Sequence, residues 1–304
     1  MLYRSAGKFI DSVLSLPSFT EVRETVEPDI CVRFGHVPQD DWQDSLAIQG
    51  WHRIDDGLQF KASGIGAFRV DKNGARIVLD CPVEKRSEAS AYVTGSALGA
   101  ALHLSGSVVL HASAIATEHG AVLFCGPSGA GKSTLAASFV QRGYSMLSDD
   151  ICALQIVGDQ VQVQPDGRFL KLWQPAIHAL GADAVQRDRV LGNRDKFHVD
   201  FASTHLTPLP VRALYDLAWA TDGPPRVRPL SPGQAFATFV GHAYRPGLVA
   251  ALGAQPAYFD TVTALQQTAP IQCLTRPVSL AELDFVVDTI ENDLRDLGPK
   301  FHSL

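Results

Sequence analysis

No stretch of the 304 residues approaches eighteen consecutive apolar positions, so no segment reads as a membrane span. The first nineteen residues hold only a brief apolar stretch, interrupted by Asp11 and Ser12, which does not make a secretory signal core. Cysteine is sparse. Cys31, Cys81, Cys125, Cys152 and Cys273 are odd in number and scattered, with no C-x-x-C pair, which argues against a disulfide framework. They read as reduced core residues of a cytoplasmic protein. The histidines show no ligand spacing, so no zinc site is expected. Positive charge is also short: a net charge of −6 argues against nonspecific binding of nucleic acid or of another acidic polymer. Internal repeats and low-complexity tracts are missing, and what remains is the composition of an ordinary globular chain.

Against that background one segment stands out. Gly126-Pro127-Ser128-Gly129-Ala130-Gly131-Lys132-Ser133-Thr134 fits the phosphate-loop pattern G-x-x-x-x-G-K-[ST] without a mismatch. Chance gives such a match in roughly one chain in a hundred of this length. The apolar run 121–125 before it reads as a buried strand, and 132–142 after it, with Leu135, Phe139 and Val140, reads as a packed helix. The glycines let successive N–H groups converge on phosphate oxygens at the positive end of that helix. Lys132 should reach the β- and γ-phosphates, and Ser133 places a hydroxyl where a hard cation bound to them would sit. The cofactors implied are ATP and Mg²⁺.

Around this loop the chain divides near residue 87. Residues 1–86 form a small β-rich domain, with strand-like pieces at 31–35, 58–63, 68–70 and 77–79 and a turn signal at Asn73-Gly74. Residues 87–304 form an α/β catalytic domain. There 88–104 looks helical, 108–116 is a strand, 144–148 is a strand ending at Asp149-Asp150, and 152–157 with 160–163 is a hairpin. Residues 166–196 read as mostly irregular and basic, a candidate active-site segment carrying Arg168, Lys171, Arg194 and Lys196. A strand at 211–219 and helices near 232–244 and 256–268 follow. The last helix carries a capping box at Ser279 and Glu282 and one apolar stripe from Leu283 to Leu297.

Spacing brings the acids to the phosphates. One helix of about three turns joins strands 121–125 and 144–148, so the second must return parallel and end on the same sheet edge as the first. Asp149 and Asp150 then stand beside the γ-phosphate, able to divide metal binding and proton acceptance. If Ala116 faces Ala121 across a hairpin, His111 lies opposite Gly126, and a slip of two residues puts Ser113 there instead. On position alone, His111 reads as a satisfied core histidine.

The run Val109-Leu110-His111-Ala112-Ser113, the phosphate loop, and Tyr144-Ser145-Met146-Leu147-Ser148-Asp149-Asp150, in that order, resemble the catalytic core of HPr kinase/phosphorylase, which shares its core with phosphoenolpyruvate carboxykinases. The resemblance is close over about residues 105–155. It implies a mixed-sheet P-loop kinase core behind the β-rich N-terminal domain, and a homo-oligomer. It makes His111 an active-site residue, Asp149 the base that deprotonates a seryl hydroxyl, and Asp150, with Ser133, a metal ligand. The stretch Gly167-Arg168-Phe169-Leu170-Lys171-Leu172-Trp173 departs from the family's glycine-rich segment. Together with Lys196-Phe197 it looks more like the HPr-kinase-like enzymes found beside ribosomal (lasso) peptide pathways.

The expected function is therefore ATP-dependent phosphorylation of a serine in a protein or peptide. Its catalytic residues are Asp149, His111 and Lys132, and its nucleotide cradle is Gly126, Ser128, Gly129, Ala130, Gly131, Lys132, Ser133 and Thr134. One or more of Arg168, Arg194 and Lys196 touches the phosphates. A nucleotide-driven switch or ATPase, and a kinase of a small hydroxyl metabolite, are the alternatives the residues leave open.

Overall fold

The computed structural model describes residues 1–38, 47–48, 50–166, 170–180, 185–189, 196–200, 204–220 and 223–298. Among these, the N-terminal part is one nine-stranded sheet whose neighbours run Thr20–Glu21, Leu2–Ser5, Lys8–Ser12, Ile30–Phe34, Arg76–Asp80, Gly66–Asp71, Gly57–Ala62, Trp51–Ile54 and Ala47–Ile48. Aromatic pairs hold its centre. Phe60 and Phe68 face each other in register with stacked rings 4.7 Å apart, the kind of cross-strand pair that stabilises a sheet. The expected turn at Asn73-Gly74 forms, and Gly74 takes φ +73° as its N–H donates to the Asp71 carbonyl.

The segment read as a helix over 88–104 is one, with a single π turn: Arg86–Tyr92, Val93–Ala97, then Leu98–Leu104. Its small residues permit close approach. A Cβ on Gly99 would lie 2.3 Å from the Tyr244 ring. One apolar cluster runs from Leu58, Phe68 and Val70 of the sheet through Val93, Leu98 and Leu102 to Val109, Ile151 and Tyr244.

The second sheet is ordered Val108–Leu110, Cys152–Val157, Gln160–Val163, Leu209–Trp219, Gly120–Cys125, Ser113–Thr117 and Ser145–Asp149. Ile271–Arg276 lies parallel to the far half of Leu209–Trp219, with Arg226–Pro229 antiparallel beyond it. Every residue of Gly120–Cys125 is buried, as its unbroken apolar run requires, because both faces are covered. Val122 and Phe124 pack with Leu135 and Phe139 of helix Lys132–Gln141 and with Val286, Val287 and Ile290 of helix Leu283–Asp296. Leu123 and Cys125 pack with Phe239 of helix Pro232–Gly241 and with Tyr258, Val262 and Leu265 of helix Gln255–Thr268. Strand Ser113–Thr117 is antiparallel to both Gly120–Cys125 and Ser145–Asp149, so those two are parallel with one strand between them. They end on one edge, as the spacing predicts.

Several expectations are corrected. The strand at 108–116 is two strands broken at His111-Ala112. Ser113–Thr117 keeps the expected register, Ala116 against Ala121, whereas Val108–Leu110 turns away to pair with Cys152–Val157. Main-chain bonds fix the break: the His111 N–H donates to the His242 carbonyl (2.8 Å) and the Tyr244 N–H to the Val109 carbonyl (2.8 Å). The irregular stretch contains a small antiparallel sheet of Leu170–Trp173, Lys196–Asp200 and Val185–Arg189, and a short helix Gln174–Ala179. Pro175 sits in that helix's first turn, where no N–H is needed. Helix Pro246–Ala251 had no sequence signal. Ser279 caps a 3₁₀ turn, Leu280–Glu282, by accepting from Ala281 N–H (3.2 Å), so the final helix begins later than the capping-box pattern suggests. All five cysteines are free. No helix among the described residues is long and apolar enough to cross a membrane.

Candidate active site

The phosphate loop leaves strand Gly120–Cys125 at Gly126 and enters helix Lys132–Gln141 through Gly131. Gly131 takes φ +84°, and a Cβ there would lie 2.2 Å from a guanidinium nitrogen of Arg276. Only glycine meets both conditions. Lys132 curls back over the loop, its Nζ donating to the carbonyls of Gly126 (2.9 Å) and Pro127 (3.3 Å).

Asp149 ends its strand with a carboxylate that is 2% exposed. Its Oδ1 accepts from Ser133 Oγ at 2.8 Å and from Ser113 Oγ at 2.6 Å, and its Oδ2 accepts from the Lys171 N–H at 3.2 Å. The buried carboxylate of Asp166 holds this strand end, taking the Asp149 N–H (2.9 Å) and Ser148 Oγ (3.1 Å). Asp150 follows at φ +75°, a left-handed conformation that aspartate tolerates better than most residues and that marks functional sites. Its N–H donates to the Ala112 carbonyl (3.0 Å), just past the strand break. Asp150 Oδ1 lies 3.1 Å from His111 Nδ1 and Oδ2 accepts from Lys171 Nζ at 2.9 Å. Burial opposes ionisation of Asp150, but the Lys171 ammonium and the His111 bond outweigh it and hold the carboxyl well below the usual carboxylate range.

These groups share a cavity of about 400 Å³. Ser128, Gly129, Gly131, Lys132, Ser133 and Thr134 line it, as do His111, Asp149, Asp150 and Lys171, with Trp173, Trp219 and Val278 among its apolar lining residues. Gly126 shapes the loop's entry, and Ala130 is buried with its carbonyl bonded to Arg276. A larger cavity of about 680 Å³, lined by His119, Tyr144 and Arg212, lies at the hairpin end of the sheet, away from the loop. Arg168 and Arg194 lie outside the described residues, as does the side chain of Lys196, whose main chain pairs with Trp173. Sequence reasoning missed Asp166 and Arg276, and it met Ser113 and Lys171 only as a register alternative and as one of several cations.

The donor set suits a hard cation. Ser133 Oγ and Asp149 Oδ1 are adjacent oxygen atoms beside the loop, of the kind that could hold Mg²⁺ carried on nucleotide phosphates. Among the described residues, no group of three or more His, Cys, Asp or Glu side chains is placed to hold a metal.

A family model described as an AAA domain matches residues 122–222, a span containing the phosphate loop, both aspartates and Trp219. No curated protein matches. Among solved structures, the HPr(Ser) kinase/phosphatase from Coxiella burnetii aligns at 12% identity over 62% of this chain and 99% of that one, with a TM-score of 0.32. At that level the likeness says nothing about chemistry. The chain carries a P-loop nucleotide-binding domain in a mixed α/β fold.

Proposed function

We propose that this protein is a Mg²⁺- and ATP-dependent kinase that transfers the γ-phosphoryl group to a serine hydroxyl of a protein or peptide. The observation that carries the reading is the single cavity in which the phosphate loop meets His111, Asp149, Asp150 and Lys171. A loop that only grips phosphate has no use for a second, solvent-facing carboxylate held by a histidine. The resemblance gives the base to Asp149 and the metal to Asp150. The contacts favour the reverse division: Asp149 is buried against Ser133, whereas Asp150, about a quarter exposed, faces the cavity.

In this scheme Ser133 and Asp149 would hold Mg²⁺, which when bound would neutralise negative charge on the nucleotide's phosphates. Lys132 leaves its carbonyl partners for the β- and γ-phosphates. Asp150, kept ionised by Lys171 and oriented by His111, accepts the proton of the acceptor hydroxyl as the seryl oxygen bonds to the γ-phosphorus. The bond from that phosphorus to the β-phosphate oxygen breaks, and ADP leaves.

The half-exposed rings of Trp173 and Trp219 and the exposed Val278 give the cavity an apolar rim suited to a peptide more than to a small polar metabolite. The resemblance to lasso-pathway enzymes makes a ribosomally made precursor peptide the first acceptor to try. Incubation with γ-labelled ATP and serine-containing peptides from neighbouring reading frames tests the proposal. Label on serine supports it, and label found only as free phosphate with every acceptor supports an ATPase or switch.

A further inference from the structure

Arg276 is an unusual residue for the interior. It ends strand Ile271–Arg276 on the edge where the phosphate loop sits, in register with Trp219 of the neighbouring parallel strand. The side chain is 2% exposed. Its Nη2 donates to the Ala130 carbonyl at 2.5 Å, and its guanidinium carbon stands 4.3 Å from the centroid of a Trp219 ring. The other two nitrogens, Nε and Nη1, are buried without a hydrogen-bond partner among the described residues. Burial without an acid partner pulls its pKa down to about 10.

A buried guanidinium with unmet donors is costly, and stacking on one indole recovers only part of that cost. Proteins otherwise surround such a group with carboxylates or carbonyls, and among the described arginines Arg276 alone leaves two guanidinium nitrogens buried and unmet, where Arg86, Arg212 and Arg245 each leave only Nε. The missing partner of Arg276 is therefore an anion from outside. Its chemistry follows from the neighbours: Arg276 lines the same cavity as Gly131, Lys132 and Ser133, and its Nη2 reaches the very segment of loop that cradles phosphate. A guanidinium fork matches two oxygens of a phosphate.

We propose that Arg276 is a second phosphate-binding cation of this site, its Nε and Nη1 donating to oxygens of the nucleotide's polyphosphate while Trp219 holds the guanidinium against the loop. The inference rests on the nucleotide-binding reading of the cavity and adds to it a residue far from the loop in sequence. Gly131 is the complementary half: with any side chain there, the fork and the loop could not approach.

Calorimetric titration of the full chain with MgATP and, separately, with tripolyphosphate tests this on wild type, Arg276→Met and Arg276→Lys. Loss of charged hydrogen bonds to phosphate predicts affinities for both ligands weakened about 10- to 100-fold in Arg276→Met, with Arg276→Lys in between. A structural arginine predicts a lower melting temperature with both affinities unchanged in the folded variant, and that result overturns the proposal. Weakening for ATP with tripolyphosphate unaffected also overturns it, because the contact would then be to the nucleoside. Wild type that binds neither ligand sinks the nucleotide reading itself, a failure distinct from one confined to the variants. Should both variants fail to fold, wild-type tryptophan emission decides. A saturable change on adding tripolyphosphate that disappears in Trp219→Phe supports the proposal, and a change that persists there, or none in wild type, overturns it.

Discussion

Ser133 and Asp149 belong to a helix and to the strand that follows it, yet the hydroxyl of one donates to the carboxylate of the other across 2.8 Å. The same Oδ1 takes Ser113, so one oxygen gathers the phosphate loop and the strand beside it. In Asp149→Asn an amide replaces the carboxylate, and the charge beside Ser133 is lost. Expected is a nucleotide affinity that no longer rises when Mg²⁺ is added, read by titrations with and without the metal. A variant that keeps the wild-type response to Mg²⁺ would remove Asp149 as the metal carboxylate.

Asp150 gives the complementary test. Asp150→Asn should lower kcat by about 10²- to 10⁴-fold, the usual worth of a positioned base, while MgATP binding stays within a few-fold of wild type. Steady-state kinetics beside equilibrium binding reads the split. An unchanged kcat would return the base to Asp149, as the family resemblance has it.

Asp166 acts through Asp149 and meets no substrate. Asp166→Ala strands the Asp149 N–H in a buried setting, at about 1–3 kcal/mol for the unmet donor, while the Ser148 hydroxyl keeps the Ile151 carbonyl (3.0 Å). Thermal unfolding should show a lower melting temperature, and activity should fall along with Mg²⁺ response. Restoration of both by Asp166→Glu would show that a carboxylate at this place is what matters. A melting temperature equal to that of wild type would contradict the role.

The loop, the strand before it and the two aspartates were legible because they follow from local chemistry: glycine where φ is positive, an unbroken apolar run where both faces are covered, and a helix too short to do other than return the chain parallel. The break at His111 was not. Val109 through Ala116 alternates and branches like one strand, and the bonds that bend it come from His242 and Tyr244, more than a hundred residues away. Lys171 was visible as charge, but its partner was hidden because Leu170–Trp173 is too short to announce its own sheet. Arg276 gave no signal at all. An arginine at a strand end reads as solvated, and only the register against Trp219 and the closeness of Gly131 reveal it as interior.

Thiol chemistry should bypass the site. Burial pushes the Cys125 thiol up to about 12, with Asp216 adding to the effect, and burial likewise holds Cys152 well above the usual thiol range. Because the shift is upward, the thiolate is suppressed below that pH and appears only above it. At pH 8 about one Cys125 in ten thousand is ionised. Mass spectrometry after iodoacetamide at pH 8 should find Cys125 and Cys152 unmodified in the folded protein and modified after denaturation. Ready alkylation of either in the native state would show that the sheet interior opens.

The apolar cluster that ties Leu58, Phe68 and Val70 to Val93, Leu98 and Leu102 does not stop at the sequence division near residue 87. A fragment cut there would keep the phosphate loop and every catalytic side chain named above, yet it would carry a bare oily flank along 89–102. It should be recovered as aggregate, with co-expression of residues 1–86 restoring a monodisperse species on size exclusion. The same cluster reaches Tyr244, whose ring lies 6.3 Å from that of His111. The N-terminal sheet and the catalytic edge are thus inherited as one piece, and neither half can be swapped into another protein without taking that seam with it.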